Sequence, residues 1–239
     1  QVIAALEARG LRVLPAFASG LDARPAVEQY FLRNGKPVVD AVLSLTGFFL
    51  VGGPAYNDAD AAVSLLKNLD VPYVAVQALE FQGLEDWEQS PLGLTPIEST
   101  MMVSIPELDG ATGSMVFGGR LGAKGSEHEQ MQGHPERIAM LAERVAKLVS
   151  LKRGKRADRK VAVVLFNFPP NGGSTGTAAH LSVFESLFNT LSTMADEGYT
   201  VELPESVDAL REAILNGNAS QYGMDANVCA EISGDEHVR

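Results

Sequence analysis

Asp58-Ala59-Asp60-Ala61-Ala62-Val63-Ser64-Leu65-Leu66-Lys67-Asn68-Leu69-Asp70-Val71-Pro72-Tyr73-Val74-Ala75-Val76 decides the fold. Asp58 or Asp60 offers the side-chain oxygen that a helix start needs, and Val63, Leu66 and Leu69 recur at helical spacing behind it. The spacing then gives way to an unbroken apolar run, Val71–Val76, which reads as a buried strand. Upstream, Ala41 to Phe49 reads as a mostly apolar strand closed by the turn Gly52-Gly53-Pro54. Further back, Asp22 is placed to cap a helix through Val27 and Phe31, and Leu11–Phe17 reads as another buried strand behind a helix over 1–9. This alternation predicts an α/β fold: a parallel, flavodoxin- or Rossmann-like sheet with helices on both faces.

Downstream the pattern loosens. Leu84 to Gln89 predicts a short helix, and Thr95-Pro96 an N-cap followed by proline at the first helical position. Met115-Val116-Phe117 predicts a short strand, and Gly118 to Gly125, with four glycines, a mobile loop. Pro135 to Leu151 is an amphipathic helix with Ile138, Leu141, Val145 and Leu148 on one face. Six of the nine residues in 152–160 are basic, which reads either as a solvated linker or as a patch for an acidic group. The domain boundary is expected there, giving a first α/β domain over 1–156 and the start of a second over 157–239. In the second, Val161–Phe166 reads as a strand, followed by a glycine-rich turn and a helix from Ala178 to about Glu197.

Composition excludes several classes of function. The formal charge of −11 argues against nucleic-acid binding, which draws its affinity from Lys and Arg on phosphates. Cys229 is the only cysteine, so an internal disulfide is impossible and a thiolate zinc site is not expected. No apolar run reaches the roughly 18 residues that read as a membrane span. The chain opens at Gln1 in what reads as mid-helix, so it is expected to be an internal section of a longer polypeptide.

Chemistry concentrates at Ile105-Pro106-Glu107-Leu108-Asp109-Gly110. Proline disfavours helical backbone in the residue before it, and residues two apart in a strand share a face. Extended backbone here would aim Glu107 and Asp109 into one cleft, where carboxylates accept protons or hold a hard cation through oxygen. The competing reading is a loop whose aspartate caps a turn. Glu127-His128-Glu129 with His134 form a polar cluster that is either cation-binding or simply solvated. The loop Asn167 to Ala179, between a strand and a helix, reads either as a tight βα connection or as a seat for a carboxylate, and it matches no nucleotide-binding spacing. Gly118-Gly119-Arg120-Leu121-Gly122-Ala123-Lys124-Gly125 lacks the glycine directly before lysine that a P-loop requires, so no nucleotide site is expected. His180 lies early in the predicted helix, and Trp87 reads as a core anchor or a face for a flat ligand.

Several blocks resemble, in order, the porphyrin-binding H subunits of magnesium chelatases. They are Thr46-Gly47-Phe48 with Gly52-Gly53-Pro54, Asp70-Val71-Pro72-Tyr73, Leu79-Glu80-Phe81-Gln82 with Trp87, and Gly93-Leu94-Thr95-Pro96. Pro106-Glu107-Leu108-Asp109-Gly110 and Phe168-Pro169-Pro170 through Ala179 complete the series. The cobaltochelatase large subunit looks similar at Pro106–Gly110; Gly176-Thr177-Ala178-Ala179 with Val183-Phe184 favours the magnesium enzyme, of bacterial type. The resemblance implies ATP-dependent insertion of Mg²⁺, as substrate ion, into protoporphyrin IX during (bacterio)chlorophyll synthesis. It implies an AAA+ ATPase partner that hydrolyses the ATP, a third chelatase subunit, and a cytoplasmic location, or a plastid in a plant or alga. On this resemblance Glu107 and Asp109 are the expected catalytic carboxylates. Glu107 and His128 are expected metal contacts, and Arg120, Arg153 and His180 expected substrate contacts. A cobaltochelatase subunit and a non-catalytic framework or docking module are the alternatives, and this chain alone is expected to be inactive.

Overall fold

Tyr73–Gly83 forms the central strand, and its neighbours follow from what its two faces bury. The computed structural model describes residues 1–46, 49–53, 56–121, 130–166, 175–176, 178, 180–217 and 231–238. They form two compact units, Gln1–Arg153 and Gly154–Arg239.

In chain order the first unit runs α1 (Val2–Ala8), α2 (Arg24–Phe31), β1 (Leu32–Arg33), β2 (Lys36–Pro37), β3 (Val42–Ser44), β4 (Gly52–Gly53), β5 (Tyr56–Asn57), α3 (Ala59–Leu69) and β6 (Tyr73–Gly83). It continues through α4 (Leu84–Gln89), α5 (Pro96–Ser99), a π-turn (Thr100–Ser104), α6 (Ile105–Leu108), β7 (Met115–Leu121), β8 (Gln130–Gly133) and α7 (Pro135–Arg153). The main sheet has the order β3-β6-β7-β8. β3 and β7 both lie parallel to β6, and β8 closes the edge antiparallel to β7. The α/β architecture with a parallel sheet core is therefore the observed one, with an antiparallel edge strand added.

β6 is buried on both faces. Tyr73 and Ala75 pack with Val27, Val42, Ala62, Leu65 and Leu69 beneath α2 and α3. Val74 and Val76 face the other way, onto Leu6, Leu141, Ala142 and Val145 of α1 and α7. Successive strand residues point to opposite faces, so an apolar run without alternation is what a sheet covered on both sides demands. Full burial of each Val or Leu side chain stabilises by about 1.5–3 kcal/mol, which makes this double layer the main source of stability. Asp58 caps α3, its Oδ1 accepting from the Ala61 N–H at 2.9 Å, and Asp70 ends the helix in the left-handed conformation.

Several sequence expectations are corrected. Leu11–Phe17 joins no strand among the described residues; Leu11 and Val13 pack against the α1/α7 layer, while Phe17 is 84% exposed. Of the described residues in the span Ala41 to Phe49, only Val42–Ser44 form a strand. Asp22 lies one residue before the cap of α2, which is Ala23; its carboxylate instead accepts from the Arg24 N–H at 2.9 Å and grips the Arg24 guanidinium. Gly118 and Gly119 belong to β7 rather than to a loop. A Cβ on Gly118 would stand 2.5 Å from the Gln132 carbonyl, and one on Gly119 2.7 Å from the Leu79 Cβ. These glycines let β7 lie close against both neighbours, a role that sequence alone does not separate from loop flexibility.

In the second unit, α8 (Val183–Asp196) packs with α9 (Val207–Asn216), and Gly234–His237 forms a further helical turn. Val161–Phe166 is largely exposed and in no strand among the described residues, since apolar composition does not by itself supply a neighbouring strand. The predicted helix from Ala178 begins at Val183. Much of the basic run is locally engaged: Arg156 pairs with Glu197, and the Arg159 guanidinium lies 5.9 Å from the Tyr199 ring centroid.

Gly119→Ala is expected to lower the unfolding free energy by about 1–3 kcal/mol through backbone overlap with β6. Gly20→Ala, where nothing lies within 4 Å of the added carbon, is the control. Equal denaturant midpoints for the two variants would contradict the packing argument.

Candidate functional site

The connection from β6 to β7 holds both candidate carboxylates, and after α4 a capping box starts the helical segment that leads to them. Thr95 Oγ1 accepts from the Glu98 N–H at 3.4 Å, while Glu98 Oε2 accepts from the Thr95 N–H at 3.0 Å. Glu98 is fully buried, yet Gln82 donates to it as well, from its backbone N–H at 3.3 Å and from Nε2 at 2.5 Å. A buried carboxylate with this many donors is satisfied, and it ties the helical segment to the end of β6. Sequence reading found Thr95 and passed over the role of Glu98, although the Thr-x-x-Glu spacing signals it.

The helix then widens. The Ile105 N–H bonds the Thr100 carbonyl, five residues back, across the π-turn. Pro106 explains the widening: it has no N–H, and its ring would collide with the carbonyl four residues earlier in a regular helix. The extended backbone expected around Pro106 is thus not observed; Ile105–Leu108 is helical and Asp109 is its C-cap. Residues two apart on a helix diverge by about 200°, whereas in a strand they share a face.

The two carboxylates are accordingly separated. Glu107 is exposed, and its carboxylate forms no hydrogen bond or ion pair among the described residues. Asp109 is fully buried. Its Oδ2 accepts from the Leu50 N–H at 2.5 Å, and its Oδ1 has no hydrogen-bond partner among the described residues. Burial pushes the Asp109 pKa up, and the Leu50 hydrogen bond offsets part of that rise. Nearby, burial pushes the Tyr73 hydroxyl up to about 12, with the Asp109 charge adding to the effect. Gly110 follows with φ +98°, a left-handed conformation that allows the chain to reverse, and the Gly110 N–H returns to the Glu107 carbonyl at 3.0 Å. A largely apolar groove of about 410 Å³ lies beside this turn, lined by Val63, Leu66, Pro72, Lys67 and Asp70 with Asp109 and Gly110.

The other sequence candidates sit on other elements, and several are engaged. Arg120 is buried, not free to meet a ligand from solvent, and its Nη2 donates to the Phe81 carbonyl at 3.3 Å. Arg153, at the end of α7, is exposed and donates to Asp40 Oδ2 at 2.5 Å. His180 is exposed with φ +60°, in a turn before α8 rather than inside a helix. His128 lies outside the described residues, as does most of the loop Asn167 to Ala179. His134 caps α7, its Nδ1 3.4 Å from the Arg137 N–H, while its Nε2 lies 2.5 Å from Glu88 Oε1. Trp87 meets His134 edge-on and carries the Arg137 guanidinium 5.1 Å from its ring centroid, besides packing on the core around Leu79 and Met102. Among the described residues no group of three or more His, Cys, Asp or Glu is placed to hold a metal ion. No helix among them is long and apolar enough to cross a membrane.

The class to which this chain belongs is that of the metal-inserting chelatases. The CobN/Magnesium Chelatase family model matches residues 1–238, and the chain belongs to that family. It is 52% identical over 99% of its length to the magnesium-chelatase H polypeptide of Cereibacter sphaeroides and 51% identical over 99% to that of Rhodobacter capsulatus. It spans 21% of the length of each of these relatives. The fold is shared with the catalytic subunit of cobaltochelatase from Mycobacterium tuberculosis, at a TM-score of 0.68 and 23% identity, over 90% of this chain and 18% of that one.

The raised Asp109 pKa has a measurable consequence. A carboxyl whose folded pKa lies above its unfolded value of 3.8 stabilises the fold below that value and loses the contribution as pH rises through the folded pKa. Asp109→Asn, which cannot ionise, is expected to gain thermal stability relative to the native chain as pH rises above 4. A difference in melting temperature that stays constant from pH 3.5 to 7 would contradict a raised pKa.

Proposed function

We propose that this chain forms part of the large subunit of a magnesium chelatase and that Glu107 is the proton acceptor of metal insertion. The observation that carries this reading is a single exposed carboxylate, without a partner among the described residues, on a turn whose backbone is pinned on both sides. Identities of 52% and 51% to the two magnesium-chelatase relatives support the choice of metal.

Insertion of Mg²⁺ into protoporphyrin IX releases two pyrrole N–H protons. Glu107 takes one, passes it to water through its exposed side, and is ready for the other. The same carboxylate oxygen guides the hydrated cation, for which a carboxylate is the natural ligand. Arg153, exposed beside Asp40, is the residue proposed to meet a propionate. Arg120, being buried, supports β6 and β7 instead. ATP is hydrolysed by an AAA+ partner, and a third subunit completes the complex in the bacterial cytoplasm.

In the complete large subunit with its partners, Glu107→Gln is expected to lower the insertion rate by roughly 100-fold or more, as for loss of a general base. Tetrapyrrole affinity is expected to hold, read by tryptophan quenching. Insertion at the native rate would remove Glu107 from the chemistry.

A further inference from the structure

We infer that Asp109 is a positioning residue: through the Leu50 N–H it fixes the turn that presents Glu107. This deepens the proposed function and rests on it.

Asp109 ends the four-residue helix Ile105–Leu108, and its side chain reaches across the fold to a backbone 59 residues away in sequence. Leu50 and Val51 are themselves buried in the layer that covers β6, so Asp109 ties the turn to the core rather than to a loose loop. On its other side the turn is held by the Asp109 and Ala111 N–H groups, which both bond the Pro106 carbonyl, at 3.2 and 3.0 Å. Pro106 itself is buried. Glu107 and Leu108, between these fixed points, are the residues left exposed. A carboxylate that must stand within hydrogen-bond reach of a pyrrole N–H gains from such a frame, because small displacements of a reacting group are costly in rate.

Burial denies Asp109 the chemistry of Glu107. Its Oδ1 is shielded from solvent and its Oδ2 is occupied, so neither oxygen is open to a macrocycle or a hydrated ion. What it supplies is an acceptor for one N–H, and an asparagine carbonyl supplies the same. This separates a positioning role from a catalytic one.

The experiment measures kcat, KM and tetrapyrrole affinity in the complete reconstituted enzyme for Asp109→Asn, Asp109→Ala, Glu107→Asp and the double variant Asp109→Ala/Glu107→Asp, with Glu107→Gln as reference. Asp109→Asn is expected to stay within about 3-fold of the native kcat. Asp109→Ala is expected to lose at least about 10-fold in kcat with tetrapyrrole affinity held within about 2-fold, a loss confined to the transition state. The double variant is expected to fall no more than about 3-fold below the slower single variant, since residues acting as one unit are non-additive. An Asp109→Asn enzyme as slow as Glu107→Gln, an Asp109→Ala enzyme at the native rate, or losses that multiply in the double variant would each overturn the inference while leaving Glu107 in place. If Asp109→Ala does not fold, Asp109→Asn decides alone: a near-native rate supports the role, and a lost rate overturns it. Native turnover by Glu107→Gln would overturn the proposed function and this inference with it.

Discussion

Burial of β6 on both faces is the constraint from which the rest of the first unit follows. Tyr73 and Ala75 need one apolar layer, Val74 and Val76 a second, so helices must lie on both sides of the sheet. Parallel pairing with β3 and β7 then requires each connection to cross over the sheet and return. The crossover from β6 to β7 is the one that carries Glu107. Its buried polar ends are tied to the fold, by Glu98 on Gln82 at one end and by Asp109 Oδ2 on Leu50 at the other.

The division between the two carboxylates comes from backbone conformation rather than from chemical difference. Had the segment been extended, both side chains would have shared a face. A helical turn sends them to opposite sides, one into the core and one into solvent. The π-turn before Pro106 lets the helix survive a residue that would otherwise break it, and π-turns occur often at functional positions. Paired acidic residues in a motif therefore need not share a face: here one is exposed, and the other is buried against a backbone N–H.

Periodicity made α3, α7 and the core of β6 legible, because long patterns of 3.6 or of continuous apolarity have few competing explanations. Thr95 was legible as a cap from local pattern, and Asp58 as one of two candidates with Asp60. Leu11–Phe17 and Val161–Phe166 were misread because an apolar run reports the need for cover, not the presence of a partner strand. Gly118 and Gly119 were misread because a glycine that admits a close neighbour looks, in sequence, like one that frees a loop. Glu107 and Asp109 were singled out by residue type and resemblance. The burial of Asp109 and of Arg120 was not legible, since it depends on a Leu50 N–H and a Phe81 carbonyl distant along the chain. Nothing in the order of side chains announces a backbone donor.

The central claim is that one exposed carboxylate accepts the protons displaced by the metal. Its most direct test is the pH dependence of single-turnover Mg²⁺ insertion by the complete enzyme, native and Glu107→Gln, with tetrapyrrole bound beforehand. The account predicts that the native rate falls on the acid side as a single carboxylate is protonated, and that this limb is missing from the residual rate of the variant. An acid limb of the same midpoint in both enzymes would contradict it and place the proton acceptor on another residue.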